Sequence, residues 1–136
     1  MRKTHHGSCH CGAVKYTATL DLAQGTAKCN CTFCAKTRNW GASIAPTDFR
    51  ISAGEALLGD YGREWEGGNI HHRFCTRCGT DTHSHGHIPE MGGDYLFLRI
   101  STLDGASVDE LVAGPVHYMD GLHDNWLNPP KDTRHL

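Results

Sequence analysis

The placement of the cysteines constrains this chain more than any other feature of its sequence. Seven cysteines occur in 136 residues, and they fall into three tight clusters. The clusters are Cys9-His10-Cys11, Cys29-Asn30-Cys31-Thr32-Phe33-Cys34 and Cys75-Thr76-Arg77-Cys78-Gly79. Cysteines that simply pack as small apolar residues have no reason to cluster, and an odd number argues against a disulfide framework. The pattern therefore predicts metal binding.

The spacing within the clusters predicts two different metal sites. A Cys-x-Cys segment turns both thiols to one side of an extended chain, and a Cys-x-x-Cys turn brings two thiols to one ion. The first and third clusters contribute two thiols each, which predicts a closed structural zinc site made by Cys9, Cys11, Cys75 and Cys78. The middle cluster contributes three, which predicts a catalytic zinc with an open fourth position on Cys29, Cys31 and Cys34. We therefore expect two zinc ions per chain.

Other interpretations of the cysteines remain open at this point. Both ions could be purely structural, with a histidine completing the middle site. An iron–sulfur cluster is disfavoured because the usual cysteine spacings are absent. A redox disulfide between Cys75 and Cys78 would be unusual without a βαβ context.

Composition and charge exclude several classes of protein. The chain has 13 basic and 15 acidic residues, for a formal net charge of −2. It lacks the basic field that nucleic-acid binding requires, and no run approaches the roughly 18 apolar residues of a membrane span. We also expect no signal peptide, because the first twelve residues contain no apolar stretch. A single domain over residues 1–136, in the reducing cytoplasm, is the expectation.

Short alternating segments separated by glycine-rich turns predict a mainly β fold with at most one or two short helices. The predicted strands are Ala13–Leu20, Gly41–Ala45, Phe49–Ser52, His71–Phe74, Tyr95–Ile100 and Val116–Met119. Within the first of these, Val14, Tyr16 and Ala18 are expected to be buried. One helix is predicted over Ser107–Val112, with Ser107 as its cap.

Several histidines have no assigned role. His83, His85 and His87 alternate, so in a strand they would share one face and could bind a metal or transfer protons. Gly86 and Pro89 instead favour a broken strand with exposed loop histidines. His71 and His72 would face opposite sides of a strand, so one of them could reach a site. Asp120 and His123 are interpreted as turn residues or as a carboxylate–imidazole pair.

Three segments together resemble the glutathione-dependent formaldehyde-activating enzyme family and the related centromere protein V domain. They are Gly7-Ser8-Cys9-His10-Cys11-Gly12-Ala13-Val14, the middle cluster, and Arg73-Phe74-Cys75-Thr76-Arg77-Cys78-Gly79-Thr80. The resemblance implies zinc-bearing antiparallel sheets in a tent-like arrangement, with a core over about residues 5–127 and an irregular tail over 128–136. It also implies the same division of the seven cysteines between a structural and a catalytic zinc.

The activity that this resemblance implies is the addition of glutathione to formaldehyde, which is formally carbon–sulfur lyase chemistry. The segment Asp81–Asp94 departs from the founding enzymes by its histidines, while Tyr118–Trp126 resembles a bacterial subgroup. A non-catalytic zinc module that binds another macromolecule is the alternative. The fourth ligand of the middle site discriminates the two, because an open position favours an enzyme and a protein ligand favours a module.

Overall fold

Two β-sheets form the framework of the structure, which is a computed structural model that describes residues 1–136. One sheet contains β1 (Lys3–Ser8), β2 (Lys15–Leu20), β5 (Phe49–Ala53) and β10 (Leu103–Asp104), in the order β10-β1-β2-β5. The other contains β3 (Thr26–Cys29), β4 (Gly41–Ile44), β6 (Leu58–Trp65), β7 (Gly68–Cys75), β8 (Asp81–Ile88), β9 (Gly93–Arg99) and β11 (Val116–Met119). Its strand order is β11-β3-β4-β9-β8-β7-β6.

Two short helices, α1 (Thr32–Thr37) and α2 (Val108–Leu111), complete the regular structure together with several 3-10 turns. The predicted cap of α2 is confirmed, since Ser107 Oγ accepts a hydrogen bond of 3.1 Å from the Glu110 N–H. Neither helix is long and apolar enough to cross a membrane. The prediction of a mainly β fold with at most two short helices is thus confirmed.

The strands predicted from alternation are all present, with small differences at their ends. β2 begins at Lys15 rather than Ala13, and β7 begins at Gly68 rather than His71. Sequence reasoning missed β1, β3, β6, β8, β10 and α1. β6 shows why, because this edge strand has no buried residue and therefore no apolar alternation to detect.

The main hydrophobic core lies between the two sheets. It joins residues of β2 to residues of β4 and β9, with Leu22 and Ile100 beside them: Tyr16, Ala18, Leu20, Ala42, Leu96 and Leu98. As predicted, Val14, Tyr16 and Ala18 are buried. The Tyr16 hydroxyl lies 2.6 Å from Thr102 Oγ1, so the one polar atom of this large side chain is satisfied within the core.

Strand β8 corrects the expectation of a broken, loop-like histidine segment. It runs without interruption through Gly86 and ends just before Pro89. Glycine is required there, because a Cβ at position 86 would lie 2.2 Å from the carbonyl oxygen of Asn69 on β7. The glycine that argued against a strand is therefore what allows β7 and β8 to pair closely.

The last strand brings the C-terminal segment to the middle cysteine cluster. β11 pairs with β3 in parallel, with Met119 opposite Cys29. This pair is the one exception to the antiparallel arrangement that the resemblance implied. As a result, the residues that follow Met119 lie beside the end of β3.

Candidate metal centres

The first and third cysteine clusters meet where the two sheets come together. The sulfur atoms of Cys9, Cys11, Cys75 and Cys78 all lie within 4.8 Å of one another. Cys9 directly follows β1 of the first sheet, whereas Cys75 ends β7 of the second. The four-thiol group therefore links two sheets that share no strand pairing.

The geometry of the four-thiol group fits one tetrahedral ion. Zn–S bonds of about 2.3 Å place neighbouring sulfurs about 3.8 Å apart at the corners of a tetrahedron. Cys9 Sγ lies 3.6 Å from Cys11 Sγ, which lies 3.8 Å from Cys75 Sγ. Cys9 and Cys75 are almost fully buried, and the Val14 N–H donates to Cys9 Sγ at 3.3 Å. These features suit a closed structural zinc site.

The middle cluster lies where β3 passes into α1. Cys29 ends β3, Cys31 caps the N-terminus of α1, and Cys34 lies in its first turn. Each sulfur accepts one N–H: Cys29 Sγ from Cys31 and Cys31 Sγ from Cys34, both at 3.4 Å. Cys34 Sγ accepts from Asn39 Nδ2, also at 3.4 Å. Such donors stabilise thiolates, the form in which cysteine binds metal.

The middle group offers three ligands and no fourth. Its sulfurs lie within 4.8 Å of one another, and no histidine, carboxylate or further cysteine joins them. Cys29 is buried, whereas Cys31 and Cys34 are partly exposed. Hydrogen bonds from the Cys29 and Cys34 thiols hold the pKa of Cys31 far below its ordinary value. No histidine is therefore in place to act as the fourth ligand, as the purely structural interpretation of this site would require.

A turn after β11 packs against the middle cluster. Asn30, between the first two cysteines, donates from Nδ2 to Asp120 Oδ1 at 2.8 Å and accepts from the Leu122 N–H at 3.0 Å. Asp120 also holds His123, with 2.8 Å between Oδ1 and Nδ1. Both interpretations of Asp120 and His123 are therefore correct: they form a carboxylate–imidazole pair, and that pair lies within a turn.

Gly121 allows this turn to approach the cluster, which leads to a prediction. A Cβ at position 121 would lie 2.6 Å from Cys29 Sγ and 2.6 Å from the Trp126 ring. We expect Gly121→Ala to weaken metal binding at the middle group by roughly 10- to 100-fold, as does loss of other groups that hold metal ligands in place. Competition with a chromophoric chelator measures this directly.

The matched control for Gly121→Ala is Leu122→Ala. The Leu122 side chain is 55 % exposed, and its hydrogen bond to Asn30 comes from the backbone, which the substitution leaves in place. The metal affinity of this control should stay within about twofold of wild type. Equal affinities for the two variants would contradict the packing argument.

His72 lies beside the middle cluster, although it does not join the three sulfurs. Its ring stacks on Phe33, with 3.7 Å between ring centres, and Phe33 lies between Cys31 and Cys34 in α1. Burial and the charge of Arg99 lower the pKa of His72 to about 4, and the charge of Cys31 acts in the opposite direction. His72 is therefore a neutral imidazole beside the cluster.

The other histidines of β7 and β8 lie on the opposite face of the sheet from His72. They form no group that could hold a metal ion. The rings of His71, His85 and His83 stack in a row, with 5.3 and 5.8 Å between centres. His71 Nδ1 lies 2.7 Å from a carboxylate oxygen of Asp60, and His85 Nε2 lies 3.2 Å from Arg73 Nη1. No three such ligands converge here. The ring nitrogens are thus directed to neighbouring side chains.

His83, His85 and His87 lie in a strand rather than in the loop that the sequence favoured, and of the three only His87 is exposed. His83 is 4 % exposed, and burial lowers its pKa to about 3. The third alternating residue, His87, pairs with Asp94 across 2.8 Å. All three therefore act as strand residues that pack or pair with neighbours.

The fold and the two thiol groups define a small, mainly β protein with one closed and one open site suited to zinc. Residues 4–117 match the sequence model of the family described as glutathione-dependent formaldehyde-activating enzyme, and the chain belongs to this family. The structure is similar to the crystal structure of a Rhodobacter sphaeroides protein. The two share 27 % identity and a TM-score of 0.64, over 82 % of this chain and 98 % of that chain.

Proposed function

We propose that this protein is a zinc-dependent enzyme of the carbon–sulfur lyase type that acts on adducts of a thiol with an aldehyde. Glutathione and formaldehyde are the substrates suggested by the family description. One zinc-binding domain over residues 1–136, located in the cytoplasm, is part of this proposal. The structural zinc is assigned to Cys9, Cys11, Cys75 and Cys78, and the catalytic zinc to Cys29, Cys31 and Cys34.

The observation that carries this proposal is the difference between the two thiol groups. The four-thiol group is complete, while the three-thiol group has partly exposed sulfurs and no fourth protein ligand. A site that served only the fold would be closed by a fourth side chain. An open side leaves room for a substrate atom.

The residues around the open group suit thiol chemistry. When held by Cys29, Cys31 and Cys34, zinc supplies a coordination position that promotes loss of a proton from a thiol or polarises a carbonyl. The N–H donors of the cluster favour the thiolate form of the sulfurs, which is the form that binds metal. In the reaction, the substrate thiolate sulfur forms a bond to the aldehyde carbon. The C=O π electrons move to oxygen, which takes up the proton that the thiol gave up.

Exchange spectroscopy by NMR tests the activity on protein purified without chelators. Glutathione and formaldehyde equilibrate with S-hydroxymethylglutathione, and we expect the wild-type protein to accelerate this exchange by at least about 10²-fold, the scale of a single positioned catalytic group. S-methylglutathione, which has no thiol, is the substrate control and should show no exchange.

An exchange rate equal to that of the protein-free solution, with both thiol groups loaded with zinc, would contradict the enzyme proposal. The non-catalytic zinc module would then be the better description. Comparison of glutathione with cysteine under the same conditions shows whether the tripeptide is selected.

A further inference from the structure

A line of polar side chains crosses strands β7 and β8 and reaches the end of β9 on the face that carries the middle cluster. Arg99 Nη2 donates to Ser84 Oγ at 2.7 Å and to Asp81 Oδ2 at 3.2 Å. Ser84 Oγ in turn lies 2.6 Å from Nδ1 of His72. Arg99 is 3 % exposed and Ser84 is 2 % exposed, so water does not compete for these hydrogen bonds.

This line of contacts favours one tautomer of His72, because the buried Ser84 hydroxyl needs an acceptor for its hydrogen. The Ser84 hydroxyl accepts from Arg99, which has no acceptor atom, so its own hydrogen is left for His72 Nδ1. An imidazole that accepts at Nδ1 carries its hydrogen on Nε2 when neutral. His72 is therefore held as an Nε2–H donor.

A second donor on the same face has no partner. The hydroxyl of Tyr95 is buried and makes no hydrogen bond, and the side chain is only 8 % exposed. Burial raises the pKa of Tyr95 to about 12, so the hydroxyl keeps its hydrogen. A buried hydroxyl without a partner is costly, and such groups in native structures commonly await a ligand or a water molecule.

The strand register places the two donors on one face of the seven-stranded sheet. His72 of β7 lies opposite Ser84 of β8, which lies opposite Phe97 of β9. Residues directly opposite in antiparallel strands share a face, as do residues two apart in one strand, so Tyr95 lies on the face of His72. Gly86 occupies β8 opposite Tyr95 and adds no side chain.

His72 also adjoins the middle cluster. Its ring stacks on Phe33 of α1, which lies between Cys31 and Cys34. Tyr95 lies on the same face of the seven-stranded sheet as His72. The two donors therefore lie on the side of the sheet that carries the middle cluster.

We propose that His72 Nε2–H and the Tyr95 hydroxyl form a binding site for the aldehyde oxygen, beside the open face of the three-thiol group. This inference rests on the proposed function. It adds the part of the site that would bind the carbonyl oxygen of the aldehyde. As the thiolate sulfur bonds to the carbonyl carbon, negative charge develops on that oxygen. Two fixed donors stabilise the charge, and the alkoxide then takes up the proton released by the thiol.

Ser84 and Arg99 are positioning residues in this arrangement, since they act on the substrate only through His72. Their role is visible without any activity measurement. In zinc-loaded protein with ¹⁵N-labelled histidine, His72 should show an unprotonated Nδ1 and a protonated Nε2. In Ser84→Ala the two nitrogens should show mixed protonation, and the exchange rate should fall by about tenfold, an effect comparable to one lost hydrogen bond.

Two substitutions remove the donors while keeping the rings. His72→Phe keeps an aromatic ring against Phe33, and Tyr95→Phe removes one oxygen atom. Each should lower the rate of thiol–aldehyde exchange by about 10²- to 10³-fold, the usual effect of losing one oxyanion donor. Zinc content and glutathione affinity should stay at the wild-type value. His72→Gln, which can place an amide N–H near the position of Nε2, should recover part of the lost rate.

Tyr61→Phe is the matched control, because the Tyr61 hydroxyl belongs to a side chain that is 66 % exposed. Its exchange rate should equal that of wild type. Rates within threefold of wild type for His72→Phe and Tyr95→Phe would overturn the oxygen site and leave the proposed function standing. A wild-type protein that binds two zinc ions and does not accelerate exchange would overturn both.

Discussion

Replacing Cys75 by serine is expected to cost the protein its stable fold. Cys75 is fully buried and belongs to the four-thiol group that joins the two sheets. Loss of one ligand opens a closed zinc site, and metal binding at such a site is largely folding free energy. We expect a loss on the order of 4–5 kcal/mol in the free energy of unfolding, the range reached when a metal site is lost. Thermal unfolding followed by circular dichroism measures it.

Removal of zinc from the wild-type protein tests whether the four-thiol group stabilises the fold through a bound metal. Wild-type protein treated with a strong chelator should unfold at the same temperature as Cys75→Ser, because both lack the link between the sheets. If Cys75→Ser retains the wild-type melting temperature, the four-thiol group is not a structural metal site. The Cys31→Ser variant is the matched control, since it makes the same chemical change in the other group.

Cys31→Ser is expected to separate metal loss from fold loss. Serine is a good N-terminal cap, so its hydroxyl can replace the Cys31 sulfur that now accepts the Cys34 N–H at 3.4 Å. α1 should therefore remain, while the middle group drops from three thiols to two. We expect one zinc ion per chain instead of two, a melting temperature within a few degrees of wild type, and an exchange rate reduced by at least about 10³-fold.

Elemental analysis and exchange spectroscopy on one preparation measure both effects. Retention of two zinc ions with undiminished exchange would contradict the assignment of the open site to the middle cluster. Unfolding of Cys31→Ser together with loss of both ions would mean that the two groups are one cooperative unit. Either result would remove the division into structural and catalytic metal.

The proposed division of roles between the two thiol groups agrees with where the hydrophobic residues pack. Its main core holds eight buried residues between sheets that share no strand pairing. A second, smaller cluster of Cys9, Val14 and Cys75 packs at the four-thiol group. Metal at that group would hold the sheets together, so the middle group can stay open without weakening the fold.

The grouping of the cysteine thiols could be predicted from the sequence alone. Cys-x-Cys and Cys-x-x-Cys spacings set sulfur positions through local backbone geometry alone, and the count of seven leaves four for one group and three for the other. Strands with clear alternation, such as β2, were likewise predictable. Helix α1 was missed because six residues give no helical period to detect.

The side chains around the middle cluster could not be predicted from local sequence. His72 and Tyr95 lie more than thirty residues beyond that cluster, and the pairing of β7, β8 and β9 places both on the face of the sheet where His72 contacts Phe33. Strand pairing depends on contacts between distant segments, and a slip of one residue would turn both side chains to the opposite face. Local spacing thus determines the candidate metal ligands, while strand register determines which side chains lie on the face beside them.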